Sequence, residues 1–327
     1  MVRVIAMVRA WSAEEWAERL GDSRRSSAVT IGNFDGVHRG HQEILRRVIE
    51  DARAKGRGSA VLTFYPHPAQ VVRPAEAPTL LETIDQRLAR LEAAGIEGTF
   101  VARFNRTLAE MSPEEFAEQF LAQTMRAGVV FVGENFRFGH KQAGDVKMLR
   151  ELGARLGFSV ETVPPVTYTM ADGKSAVVSS STVRTAVREG RVEDAERMLG
   201  RAFALEGKIR TGTGIGRKVV VPTLNLATEQ EMLPKLGVYA TETMVTGKEF
   251  RSVTNVGMRP TFDGVKLAIE THLFDFNENL TDGEMAIRFR QRIRDEKKFA
   301  GPEELKKQVL KDIEAAKRFF DANPVTI

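Results

Sequence analysis

Two histidines three residues apart, His38 and His41, follow a turn built from Gly32, Asn33, Phe34, Asp35 and Gly36. Such residues suit a metal centre, an acid/base pair or a phosphate site. An i, i+3 histidine pair can share a helix face, but a structural zinc site needs two further soft or imidazole ligands. The chain has 5 histidines and 0 cysteines, so no structural zinc is expected. A general-base pair lacks a local covalent nucleophile to serve. Phosphate binding uses more of the residues. The glycines let backbone approach a ligand, a helix starting near His38 to His41 would aim free amides at negative charge, and imidazoles there can donate to oxygens that gain charge during phosphoryl or nucleotidyl transfer. Taken alone, the same stretch also reads as a plain turn with both histidines on a solvated helix start.

A second candidate lies at Thr211-Gly-Thr-Gly-Ile-Gly-Arg-Lys218, followed by Pro222-Thr223-Leu224-Asn225. The glycine-rich part matches neither GxGxxG nor GxxxxGK[ST], and strands rather than a helix are expected after it. Thr223 and Asn225, two apart on an extended segment, can face the same way and offer oxygens to a hard cation. They can equally form a proline-initiated turn with self-bonded side chains. Glu270 sits in a strand-like run, where a carboxylate either faces solvent or serves an alcohol nucleophile as base or orienter.

The elements that must position these groups change character along the chain. Strand-like runs at 26–31, 59–64, 98–102, 129–132 and 158–163 alternate with helical patterns at 41–55, 81–94 and 145–156. Ser112-Pro113-Glu114-Glu115 is a helix start with cap, proline and glutamate in their favoured places. Such alternation predicts a mostly parallel sheet covered by helices, with ligands beyond the carboxyl ends of its strands. From Phe203 onward, runs at 203–209, 237–245, 251–256, 266–274 and 284–289 leave no room for long helices and predict a compact antiparallel barrel, closed by one helix after Pro302. A hinge is expected near 190–201.

At 327 residues the chain is long for one core. Lysine and arginine exceed the acids by 48 to 44, which is too little to indicate a nucleic-acid partner. Without cysteine, disulfides, thiolate metal sites and cysteine nucleophiles are excluded. Charges recur at Arg9, Glu14 and Glu15 before any long apolar core can form, and no run is long enough to span a bilayer. A cytoplasmic location is expected.

The run IGNFDGVHRGH at 31–41 contains the HxGH signature of nucleotidyltransferases, and its longer context resembles the bifunctional riboflavin kinase/FAD synthetase family. Phe64-Tyr-Pro-His67-Pro68 is similar to that family's FxPHP segment, with Tyr65 where an acid is common. Gly133-Glu-Asn135-Phe-Arg137-Phe-Gly139 resembles GEDFRFG, with Asn135 replacing aspartate. Ser179-Ser180-Ser181-Thr-Val-Arg184 is similar to ISSTxIR. In the second half Gly214-Ile-Gly216-Arg217-Lys218 through Asn225 resembles the kinase loop and PTxN motif, with Val220 where glycine is usual. The run 255–262 and Arg294-Asp-Glu-Lys-Lys-Phe299 also look like the kinase module, whereas Thr281-Asp282-Gly283 departs from its tyrosine-glycine-lysine segment.

The resemblance implies an α/β nucleotidyltransferase domain with a Rossmann-like parallel sheet over 1–188, a linker at 189–202, and an antiparallel β-barrel riboflavin kinase domain with a C-terminal helix over 203–327. It implies phosphorylation of riboflavin by ATP to FMN, then adenylyl transfer to give FAD. His38 and His41 would contact ATP phosphates, with Gly32 to Gly36, His67, Asn135, Arg137, Ser180, Ser181 and Arg184 lining that site. Glu270 would be the kinase base, Thr223 and Asn225 would hold magnesium, the 214–218 loop would cover phosphates, and Arg294 would shape the flavin and nucleotide region. Expected partners are riboflavin, FMN and ATP, with no nucleic acid, membrane or obligatory protein partner; homo-oligomerisation stays open. The alternatives are an FAD synthetase with a weakened kinase module, suggested by Val220 and 281–283, and a non-catalytic nucleotide- or nucleic-acid-binding protein.

Overall fold

The apolar run Ser27–Ile31 is buried at every position, which a strand achieves at the centre of a sheet covered on both faces. The computed structural model describes residues 8–20, 26–170, 173, 175–210, 221–261, 264–278 and 280–323. Gly214, Gly216, Arg217, Lys218 and Val220 lie outside them. The chain divides into two units, residues 1–169 with 175–180, and residues 170–174 with 181–327.

The first unit runs β1 (Val8–Ala10), α1 (Ala13–Leu20), β2 (Ser27–Ile31), α2 (Arg39–Lys55), β3 (Gly58–Tyr65), α3 (Pro68–Val72), α4 (Ile84–Ala93), β4 (Gly98–Arg103), α5 (Arg106–Glu110), α6 (Pro113–Phe116), β5 (Ala127–Gly133), α7 (Val146–Leu156) and β6 (Ser159–Val163), then a hairpin of β7 (Thr167–Thr169) and β8 (Ser175–Val177). Among the described residues the sheet order is β1-β4-β3-β2-β5-β6, and every pair is parallel. The chain leaves β2 towards β3 and β4 and later returns to its other side with β5. The carboxyl ends of β2 and β5 therefore flank the point where strand order reverses, the usual ligand crevice of such sheets.

Several helices begin where the sequence signals them. Ser112 caps α6 with Glu115 in a reciprocal box, and Asp145 caps α7. Past Phe116 the helix widens to π geometry over Ala117–Thr124, a departure that accompanies stacking of Phe116 on Phe120 at 5.2 Å. The helix expected from Leu81 starts at Ile84, because the Leu81 and Glu82 amides are bonded to Asp35 and Thr83 supplies the cap.

The second unit contains α8 (Ser180–Glu189), whose first residue belongs to the first unit, α9 (Val192–Leu199), β9 (Phe203–Arg210), β10 (Leu224–Ala227), β11 (Gly237–Val245), β12 (Lys248–Thr261), β13 (Gly264–Leu273), β14 (Glu284–Asp295) and α10 (Pro302–Ala322). The hinge expected near 190–201 is a helix: Val192, Ala195, Met198 and Leu199 of α9 are buried on one face. Among the described residues the strands close in the order β10-β13-β12-β11-β14-β9. β10 was not foreseen, since four residues after a proline carry little periodic signal. Alternation sorts the barrel faces. Val238 and Ala240 of β11 and Val253 of β12 pack with Ala316 and Phe320 of α10, while the intervening Thr241, Thr243, Ser252 and Thr254 hydrogen-bond to one another and to Thr271.

Candidate active sites

The turn after β2 is held in a conformation that side chains rarely adopt. Phe34 has φ +50°, Gly36 +84° and Val37 +37°, and a β-branched residue in that region is strained. The turn is pinned from beneath. Asp35, 1% exposed, accepts the Leu81 amide at 3.0 Å and the Glu82 amide at 3.3 Å. Ser180 Oγ donates to Asp35 O at 2.8 Å, which brings the ISST-like segment against the signature turn. Asp35 and Ser180 thus have structural partners where sequence reasoning had offered them to the nucleotide.

His38 is the N-cap of α2: its Nδ1 accepts the His41 amide at 3.3 Å, so Nε2 carries the ring proton. A Cβ on Gly40 would stand 3.2 Å from His38 Nδ1, so the glycine between the histidines lets one ring fold over the helix start. The two imidazoles stack with centroids 3.7 Å apart, and Phe34 lies 4.8 Å from His41. His41 Nδ1 is buried without a hydrogen bond. Burial above all, then the neighbouring His38 and Arg87, pushes the His41 pKa well below the usual imidazole value. His41 is therefore a neutral hydrogen-bonding group at neutral pH, next to a helix terminus that favours anions.

Beside this turn opens a cleft of about 1020 Å³, to which Gly32, Asn33, His67, Asn135 and Arg137 contribute. His67 caps α3 by accepting the Ala69 amide at Nδ1, and its Nε2 lies 3.1 Å from the Asn33 side-chain nitrogen. Arg73, Arg106 and Lys141 join Arg137 in the lining against one acid, Glu110, so the cleft suits an anion. Sequence reasoning missed those three cations, which no motif contains. Arg137 is half exposed and 3.9 Å from Asp145. Ser181 is exposed on the first turn of α8, and Arg184 is 9% exposed on the next.

In the barrel, Glu270 on β13 is the direct partner of Asn225 on β10 and of Asn255 on β12. Adjacent strands in register put the three side chains on one face. The alternate positions Thr254 and Thr271 bond inside the barrel, at 2.9 Å between their hydroxyls, so the Glu270 face is the outer one. Thr223 is exposed two residues before Asn225, and His272 Nδ1 donates to Pro222 O at 2.9 Å, tethering that approach to β13. Among the described residues no three His, Cys, Asp or Glu gather as a metal site. The oxygens of Thr223 and Asn225 are hard donors that fit magnesium bound chiefly by phosphates and water.

Arg294 is engaged by the terminal helix. Its guanidinium grips Asp312 of α10 at 2.9 and 2.7 Å and lies 5.7 Å from the Phe299 ring, so it fastens the terminal helix to β14. Its neighbour Glu296 makes the connection to the 255–262 run instead, accepting the Met258 amide at 2.9 Å.

The fold thus sets a parallel sheet with an anion-favouring turn at its reversal point in one unit and a closed barrel bearing a carboxylate between two amides in the other. Comparison with known proteins gives the family. The FAD synthetase family matches residues 21–181 and the riboflavin kinase family residues 199–320. Bifunctional riboflavin kinase/FMN adenylyltransferases are 36% identical in Pseudomonas fluorescens, over 91% of this chain and 94% of the relative, and 35% in Haemophilus influenzae, over 90% and 94%. A crystal structure described as a macrolide-efflux protein from Streptococcus pneumoniae superposes with TM-score 0.83 at 27% identity, covering 96% of this chain and 99% of that one. The chain belongs to the bifunctional riboflavin kinase/FMN adenylyltransferase family and is an enzyme with both activities. Among the described residues no helix is long and apolar enough to cross a membrane.

Proposed function

We propose that residues 1–188 transfer the adenylyl group and residues 203–327 phosphorylate riboflavin, with 189–202 joining them. The observation that supports this division is that each unit has its own cluster of polar side chains suited to phosphate chemistry, His38 and His41 at the start of α2 in one, Glu270 between Asn225 and Asn255 in the other.

In the barrel, Glu270 accepts the proton of the riboflavin 5′-hydroxyl as its oxygen bonds to the γ-phosphorus of ATP and the bond to the β-phosphate oxygen breaks, giving FMN and ADP. Thr223 and Asn225 would hold magnesium, which when bound neutralises phosphate charge. In the first unit the FMN phosphate is already a nucleophile. Its oxygen bonds to the α-phosphorus of a second ATP as pyrophosphate leaves, so the protein's task is to position and to stabilise charge. His38 Nε2–H, the His41 ring and the first amides of α2 donate to the nucleotide phosphates. The cations of the neighbouring cleft, Arg73, Arg106, Arg137 and Lys141, hold the FMN phosphate there, and Asn33 and His67 set its edge.

The test is a time course of riboflavin, FMN and FAD with purified protein, ATP and magnesium. FMN should rise first and FAD follow; folded protein that leaves riboflavin and supplied FMN unchanged would refute the reading.

A further inference from the structure

Glu296 follows β14 directly, and its side chain crosses to β12, where Oε1 accepts the Met258 amide at 2.9 Å. That path runs over Gly257. A Cβ there would collide with Glu296 Oε1 and stand 3.0 Å from Asn255 Nδ2. The Glu296 and Asn255 side chains therefore converge above one glycine, and only a residue without a Cβ leaves them room. Asn255 and Gly257, two apart on β12, share the outer face, and Asn255 is the cross-strand partner of Glu270. Glu270, Asn255 and Glu296 thus form a row on the outside of the barrel. The chain carrying the last of them is fastened on both sides: Arg294 binds Asp312 of α10, and Lys297 binds Glu304 of the same helix at 3.2 Å. Glu296 is exposed, and among the described residues no hydrogen bond engages its Oε2.

We propose that Glu296 is a specificity-determining residue of riboflavin phosphorylation: with Oε1 fixed on Met258, its Oε2 accepts a secondary hydroxyl of the ribityl chain while the 5′-hydroxyl lies at Glu270. An ionised carboxylate only accepts hydrogen bonds, and a polyol presents O–H donors on successive carbons, so acceptors set in a row suit it. The first step of the row, from Glu270 to Asn255, is about 5 Å between Cβ atoms, a span that a ribityl chain bridges. The bond to Glu296 is charge-assisted and made without moving the backbone that carries it. The inference rests on riboflavin phosphorylation at Glu270.

The experiment uses the full chain and two substrates, riboflavin and a flavin whose side chain is 5-hydroxypentyl, which keeps the terminal hydroxyl and lacks the secondary ones. Glu296→Gln keeps a carbonyl oxygen for the Met258 amide but puts an N–H donor where Oε2 was. It should lose about tenfold or more in kcat/KM for riboflavin, chiefly through KM, the scale of one hydrogen bond to a charged group. Turnover of the hydroxypentyl flavin should stay at the wild-type level, which also shows that the barrel is folded. The wild type should favour riboflavin over the hydroxypentyl flavin, and Glu296→Gln should narrow that preference. Equal loss for both substrates would mean that Glu296 only anchors β12, and unchanged riboflavin kinetics would mean that it touches no substrate; either result overturns the proposal. Wild-type protein that phosphorylates neither flavin would instead sink the functional reading beneath it.

Discussion

The imidazoles of His38 and His41 lie face to face, 3.7 Å apart and 17° from parallel, with one ring capping the helix that carries the other. Two cations cannot share that space, and His41 is the ring kept neutral by burial and by its neighbours. Its folded pKa lies below its unfolded value, so the unfolded chain binds the extra proton first. The stability this contributes is complete above the unfolded pKa and falls as pH drops below it, with a slope of up to about 1.4 kcal/mol per pH unit. Denaturant unfolding from pH about 7 down to about 5 should show that slope, and His41→Gln should flatten it.

The two activities should separate by mutation. His41→Ala is expected to accumulate FMN, with FAD formation down by about 10²- to 10³-fold, the scale of losing one stabilising donor. Glu270→Ala should lose FMN formation by about 10²- to 10⁴-fold, as for removal of a general base, yet convert supplied FMN to FAD. Flavin chromatography of both reactions in each variant is the measurement; a variant that loses both equally would contradict the division.

Asp35 is an anchor across 46 residues of chain to Leu81. Asp35→Ala strips two buried amides of their acceptor and should destabilise the first unit by about 1–3 kcal/mol per orphaned group, whereas Asp35→Asn keeps one oxygen and costs less. Thermal melts of the three proteins give the order.

Arg294 and Asp312 form a partly buried fork-to-carboxylate pair, with side chains 22% and 5% exposed. Removing Asp312 takes the acceptor from a guanidinium that still reaches solvent, so Asp312→Ala should lower the stability of the barrel by about 1–3 kcal/mol. Adenylyl transfer from supplied FMN should survive at temperatures where riboflavin phosphorylation fails. Equal loss of the two activities on heating would count against it.

Chelation separates the metal's role from the protein's. Excess EDTA should stop riboflavin phosphorylation, magnesium should restore it, and Asn225→Ala should need more magnesium for half-maximal rate. A titration of rate against magnesium reads that shift directly.

Local signals carried far in this chain. Alternation of apolar runs with capped helices foretold the parallel sheet, and the spacing of strands after Phe203 foretold the barrel, because pleat, helical period and cap chemistry are short-range properties. The residues 31–41, 222–225 and 270 marked both candidate sites for the same reason: contiguous motifs preserve their chemistry in one dimension. What tertiary structure decided were the partnerships of charge. Asp35 could serve a ligand or an amide, and Arg294 a flavin or Asp312. Their roles depend on segments 18 to 46 residues away. A buried charge is satisfied by whatever the fold brings within hydrogen-bonding reach, and periodicity holds no record of that.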